Sequence, residues 1–159
     1  MGGVNGAEAL KALYALQEKD LEIDRLRAEA ESLPEELVAL QGQVETLEER
    51  LTNLLERRAE LEREYNRHSL DIEDLSAKEK QAEEEQKRAQ SAREQTQYEN
   101  RIQQIKDRIR ELLELSTPIM EAMENLEAEI AQVEEELAAL RPRLQELLEA
   151  NRARVAELE

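Results

Sequence analysis

From Leu37 to Leu75, and again from Tyr98 to Leu147, apolar residues recur at alternating steps of three and four. The first run is Leu37, Leu40, Val44, Leu47, Leu51 and Leu54, then Arg58, Leu61, Tyr65, His68, Ile72 and Leu75. The second is Tyr98, Ile102, Ile105, Ile109, Leu112, Ser116, Ile119, Met123, Leu126, Ile130, Val133, Leu137, Leu140, Leu144 and Leu147. A repeat of 3.5 residues held this long puts one narrow apolar seam on a helix and imposes a left-handed coiled coil. Upstream the same frame takes in Leu16, Ile23, Leu26, Ala30 and Leu33.

Composition removes the competing fold classes. Aromatics are 2% of the 159 residues, charged residues are 38%, and there are only four Gly and three Pro. A compact domain of this length needs large aromatics to fill its interior, and sheets need turn formers. Regular apolar spacing argues against disorder. With no Cys and one His, the chain builds no zinc, haem or iron–sulfur site. No enzyme is expected, because no nucleophile, base and orienting group converge on a pocket. No apolar run reaches the roughly 20 residues of a membrane span, and no basic-then-apolar leader opens the chain, so a cytoplasmic location and no membrane partner are expected. The net charge of −17 argues against broad nucleic-acid binding by these residues.

The two runs fail to meet. Glu79, Ala82, Gln86, Ala89, Ser91 and Gln95 stand where seam residues belong, and only Ala is apolar among them. Ser91-Ala92-Arg93-Glu94 has capping-box spacing, so a new helix starts there. The expected architecture is all-α: a long antiparallel two-helix coiled-coil hairpin. Its first helix covers 7–87, with Asn5 and Glu8 as a cap and residues 1–6 disordered. A turn occupies 88–91, and the second helix covers 92–159. Pairing Leu37 with Leu140, Leu51 with Leu126, Tyr65 with Leu112 and Ile72 with Ile105 satisfies every layer, and its centre falls in the turn. Residues 67–85 carry net −4 and residues 86–110 net +4, which a hairpin sets side by side. Exposed ion pairs are worth only about 0.2–1 kcal/mol each and do not decide the register. Breaks or kinks are expected at 32–34 and 116–118, with Pro34 and Pro142 bending together at one level and Pro118 forming a second break.

Few residues suggest a site. His68 reads as a tolerated seam residue. Glu83-Glu84-Glu85 reads as a solvated charge run, because Lys87, Arg88 and Arg93 crowd the same tip. The tip itself, Lys87, Arg88, Ser91, Arg93 and Glu94, is one candidate contact. A second is apolar surface beyond what a two-helix seam needs: Leu55, Leu113 and Met120 flank the seam mid-hairpin at one expected level. At the open end, Leu10, Leu13 and Tyr14, with Leu21, form a stripe additional to Leu16, Ile23 and Leu26. In the expected register residues before about 18 have no partner helix. Such clusters mark interfaces, so protein partners and weak homo-oligomers are expected.

The opening from Leu13 to Leu26, LYALQEKDLEIDRL, followed by Leu33-Pro34-Glu35-Glu36-Leu37, and the tip Ser91-Ala92-Arg93-Glu94-Gln95 resemble the bacterial proteins that join a coiled-coil hairpin to a C-terminal four-cysteine zinc ribbon. The family's tip reads Thr-Asn-Arg-Glu-Tyr, so the hydroxyl, Arg93 and Glu94 match and two positions differ. The resemblance implies a non-enzymatic adaptor whose hairpin binds proteins. It also implies a ribbon beyond Glu159 that holds the only zinc and contacts nucleic acid or protein, with links to transcription and to secretion or flagellar assembly. The alternatives are a structural coiled-coil oligomer without an intrachain hairpin, and a factor entering RNA polymerase with an acidic tip.

Overall fold

The computed structural model describes residues 2–158, with side chains from Gly6 onward. Two helices account for nearly all of it: α1 spans Gly2–Lys87 and α2 spans Ala92–Leu158. They pack on each other as an all-α helical hairpin. Among the described residues every buried side chain lies on a seam: Leu37, Val44, Leu61 and Ala82 on α1, and Ile102, Ile105, Leu112, Ser116, Ile119, Ile130, Val133, Leu137 and Leu147 on α2. Neighbours off the seam are exposed, as the narrow stripe of a two-helix coil requires.

The helices leave the turn with capped ends. Arg88 and Ala89 donate their N–H groups to the carbonyls of Glu85 and Gln86, tightening the last turn of α1. At the start of α2, Glu94 donates its N–H to Ser91 Oγ at 3.1 Å. The Glu94 carboxylate accepts from the Gln90 N–H at 3.2 Å, one residue before the position that a standard capping box reaches.

The chain forms two packed units, residues 1–48 with 135–159, and residues 49–134. Within the second unit, Arg58 Nη2 lies 2.7 Å from Glu127 Oε1, Lys106 Nζ lies 3.8 Å from Glu79 Oε1, and Tyr65 lines a groove with Met120 and Met123. Within the first, Arg154 Nη1 donates to the Ala30 carbonyl at 3.3 Å, and Arg141 pairs with Glu48 at 3.6 Å. These contacts correct the expected register by one heptad. In each unit the partner of a seam residue stands seven residues further along α2: Leu51 is level with Val133, Tyr65 with Ile119, Ala82 with Ile102. The expected pairing would leave Arg58 and Glu127 about 12 Å apart along the axis. The pattern could not discriminate, because a slip of seven residues returns every core position to a core position. The ends decide: Ala82 is buried to 2% and is level with Ile102, whereas Gln95, its expected partner, is exposed.

The breaks are corrected as well. Helix runs without interruption through Pro34, Pro118 and Pro142. All three lie off the seam, so the layers on either side pack undisturbed. Proline removes the bond from its own nitrogen to the carbonyl four residues back. For Pro34 that carbonyl is Ala30 O, and the Arg154 guanidinium takes it. Beside Pro118, Ser116 and Thr117 hydroxyls donate to the Leu112 and Leu113 carbonyls. At the other end α1 begins at Gly2, so residues 2–6 are helical, and only Met1 of the segment expected to be disordered lies outside the described residues. Once a helix is nucleated, adding residues costs little, so Asn5 does not terminate it.

Candidate interaction surface

The seam of α1 has two parts. From Ala30 to the turn its positions are half-buried or buried against α2. From Gly6 to Glu29 every residue is exposed. Leu16 is 58% exposed, Ile23 46% and Leu26 53%, although they occupy the same frame as Leu37 and Val44. The register explains this. In it Leu158 stands level with Leu26, and among the described residues Leu16 and Ile23 lie beyond that layer. The exposed part of the seam therefore reaches Leu26, beyond the limit near residue 18 expected from the sequence.

A second stripe runs along the opposite side of the same helix. At 3.6 residues per turn, Leu10, Tyr14 and Leu21 fall within about 40° of one another and nearly opposite Leu16, Ile23 and Leu26. Leu21 is 69% exposed, and Leu10, Leu13 and Tyr14 are also open. Seven large apolar side chains thus stand in solvent on about five turns of one helix. Isolated exposed leucines are ordinary, but apolar side chains stacked along one side of a helix mark a contact surface, and this helix carries two such stripes. The charged residues between them, Lys19, Asp20, Glu22, Asp24, Arg25 and Arg27, alternate in sign.

Where the intrachain seam stops, its last layers are polar. Asn151 faces Leu33, and Arg154 faces Ala30. Asn151 Oδ1 and Arg154 Nε are buried without a hydrogen-bond partner. A shallow groove of about 540 Å³ opens here between Leu26, Ala30 and Leu33 of α1 and Leu147 and Ala150 of α2.

The mid-hairpin candidates are exposed but do not share a level. In the observed register Leu55 stands about 13 Å along the axis from Met120 and about 24 Å from Leu113. The cluster expected from the sequence is corrected to a Leu113–Met120 pair, with Leu55 separate; the shift of one heptad separates them. At the tip, Lys87, Arg88, Ser91, Arg93 and Glu94 are all exposed, with Ser91 and Glu94 engaged in the cap.

Two polar groups interrupt the seam of the second unit. Arg58 is bonded to Glu127 through Nε at 3.1 Å and Nη2 at 2.7 Å, and to Glu62 through Nη1 at 3.3 Å. The hydrogen bond that Arg58 donates to Glu127 and the charges of Glu127 and Glu62 outweigh desolvation and raise the guanidinium's already high pKa. The group stays protonated at every accessible pH. His68, level with Ser116, has Nε2 4.0 Å from Glu64 Oε1. Among the described residues no group of three or more His, Cys, Asp or Glu is placed to hold a metal, and no helix is long and apolar enough to cross a membrane.

No family model, curated protein or solved structure matches the chain. What it can do is therefore read from this surface. The sequence reading named Leu10, Leu13 and Tyr14 there but took Leu16, Ile23 and Leu26 as seam alone. The missing signal was the register, which sets how far α2 reaches.

Proposed function

We propose that the chain is a non-enzymatic protein-binding arm whose docking face is the single-helix part of α1, residues 10–26. The observation that carries this is the unbroken seam frame from Leu37 back to Leu16, in which Leu16, Ile23 and Leu26 are 46–58% exposed while Leu37 and Val44 are buried. Burying a large apolar side chain is worth about 1.5–3 kcal/mol, so an amphipathic partner helix laid on this face gains with every layer it covers. The resemblance to coiled-coil hairpins carrying a zinc ribbon supports the same class of role, an adaptor arm, with any zinc and any nucleic-acid contact belonging to a ribbon beyond Glu159.

Site-specific photocrosslinking in the source cell tests this. A photoreactive residue at Lys19, in the same frame as Leu16 and Ile23, should capture protein adducts that disappear when Leu16 and Ile23 are both changed to Glu. Adducts that persist in that variant, or match those captured from position 56 on the polar surface, would remove residues 10–26 as the docking face.

A further inference from the structure

We infer that the edge of α2 running through Leu113 and Met120 is a second docking site, taken by a basic amphipathic helix of another protein. The site lies within the second packed unit and does not rest on the reading of residues 10–26. Lys106, Leu113, Met120, Glu127 and Glu134 recur every seven residues, so they follow one edge of the seam. Leu113 is 53% exposed and Met120 47%. A groove of about 250 Å³ opens beside Met120, with Tyr65 and Met123 of the two seams as its apolar wall and Glu124 and Glu127 on its rim. Methionine is unbranched and adapts its rotamers to an incoming side chain. Apart from Met1, the methionines of the chain are the two that line this groove.

Charge names the occupant. Residues 111–134 of α2 carry seven carboxylates and no Lys or Arg. Among the described residues only Glu111 and Glu127 of the seven are ion-paired. Elsewhere α2 supplies bases that meet carboxylates of α1, as Lys106 does for Glu79 and Arg141 for Glu48. Here it supplies none, and Arg58, which reaches across from α1, is already held by Glu127 and Glu62. Two copies of this edge would set carboxylates against carboxylates, and the same field repels nucleic acid and anionic lipid surfaces. A helix that carries Lys or Arg beside its apolar face satisfies both the groove and its rim.

Charge also orients that helix. The sign changes along the edge across the apolar pair: Lys106 and Arg110 precede Leu113, whereas Glu124, Glu127 and Glu134 follow Met120. The partner therefore sets two apolar anchors, one heptad or about 10 Å apart, on Leu113 and Met120, and turns its basic end toward Glu134. A contact of two or three turns falls below the roughly 1,600 Å² of a standard stable interface. The complex is accordingly weak, and added salt weakens it further.

Designed peptides added to the whole chain test this. The parent probe is a helical peptide with Leu anchors one heptad apart and a cluster of Arg at one end. It should shift the ε-methyl resonances of Met120 and Met123. A second probe, identical except for Ser in place of the anchors, should leave them unmoved. Met120→Glu, at an exposed position, should weaken binding of the parent probe by about tenfold or more. Glu124→Lys should weaken it about fivefold. Glu129→Lys, the same change of charge on the opposite edge of α2, should cost less than about twofold, because solvent and salt screen it. Unchanged helicity by circular dichroism confirms folding of each variant. Equal losses from Glu124→Lys and Glu129→Lys, or a Ser probe that binds as tightly as the parent, would show attraction to net charge alone and overturn the site. Absence of methyl shifts at millimolar parent probe overturns it as well. Methyl shifts that appear on raising the protein concentration without peptide would place a second copy in the groove and overturn the proposed occupant.

Discussion

Leu112 and Leu113 are adjacent and differ by almost everything that decides a residue's energetic weight. Leu112 is 1% exposed on the seam, and Leu113 is 53% exposed beside it. Leu112→Ala should cost about 2–5 kcal/mol, the transfer and cavity terms together. Leu113→Ala should stay within about 0.5 kcal/mol. Urea denaturation followed by circular dichroism checks both, and equal costs would contradict the seam assignment. Arg154 is a less obvious residue. Its bond to the Ala30 carbonyl fills a vacancy that Pro34 creates. Arg154→Ala should therefore destabilise by about 1 kcal/mol or more in the natural chain and by less in a Pro34→Ala background, where residue 34 supplies the missing N–H. A double-mutant cycle reads this coupling directly; equal costs in both backgrounds would show that the guanidinium contributes nothing through that carbonyl.

At the scale of the helix, hydrophobic period and cap chemistry were legible before any coordinates. The 3,4 spacing identified both seams, and Ser91 with Glu94 marked the start of α2, where both side chains make cap bonds. Ser91→Ala should cost about 1 kcal/mol in thermal unfolding. Proline was misread because its local penalty was weighed alone. A helix more than 60 residues long has layers on both sides of each proline, and Arg154, remote in sequence, meets the orphaned carbonyl. No local window contains that information. Pro118→Ala and Pro142→Ala should each raise the midpoint of unfolding, by up to the ~3 kcal/mol difference in helix propensity. A loss of stability in both would show that the prolines shape a packing the wild-type helices need.

At the scale of the molecule, the antiparallel fold could be read but its register could not. Heptads are degenerate under a slip of seven, and the flanking charge pairs are too weak to rank alternatives on paper. Ala82, Arg58 and Glu127 settle it once placed. Oxidation of Leu51→Cys/Val133→Cys should close an intrachain disulfide, and Leu51→Cys/Leu126→Cys, about 10 Å out of level, should not. The reverse outcome would restore the register expected from the pattern. The same displacement explains the candidate surface: one heptad less of coverage by α2 exposes Ile23 and strips the end of the seam. It also dissolves the mid-hairpin cluster, whose residues shared a level only in the expected register.

The unbroken span of α1, Gly2–Lys87, conceals a gradient in time. Residues beyond Ala30 hold their helix by packing on α2, whereas residues 6–25 hold theirs by local propensity, and an isolated helix of about 20 residues is marginal in water. Amide protons should therefore exchange orders of magnitude faster before residue 25 than in the layers around Leu112 and Val133. The transition should fall within a turn or two of Ala30. On this account the free end of α1 is continually unwinding and reforming, and it becomes persistent helix when something lies against it.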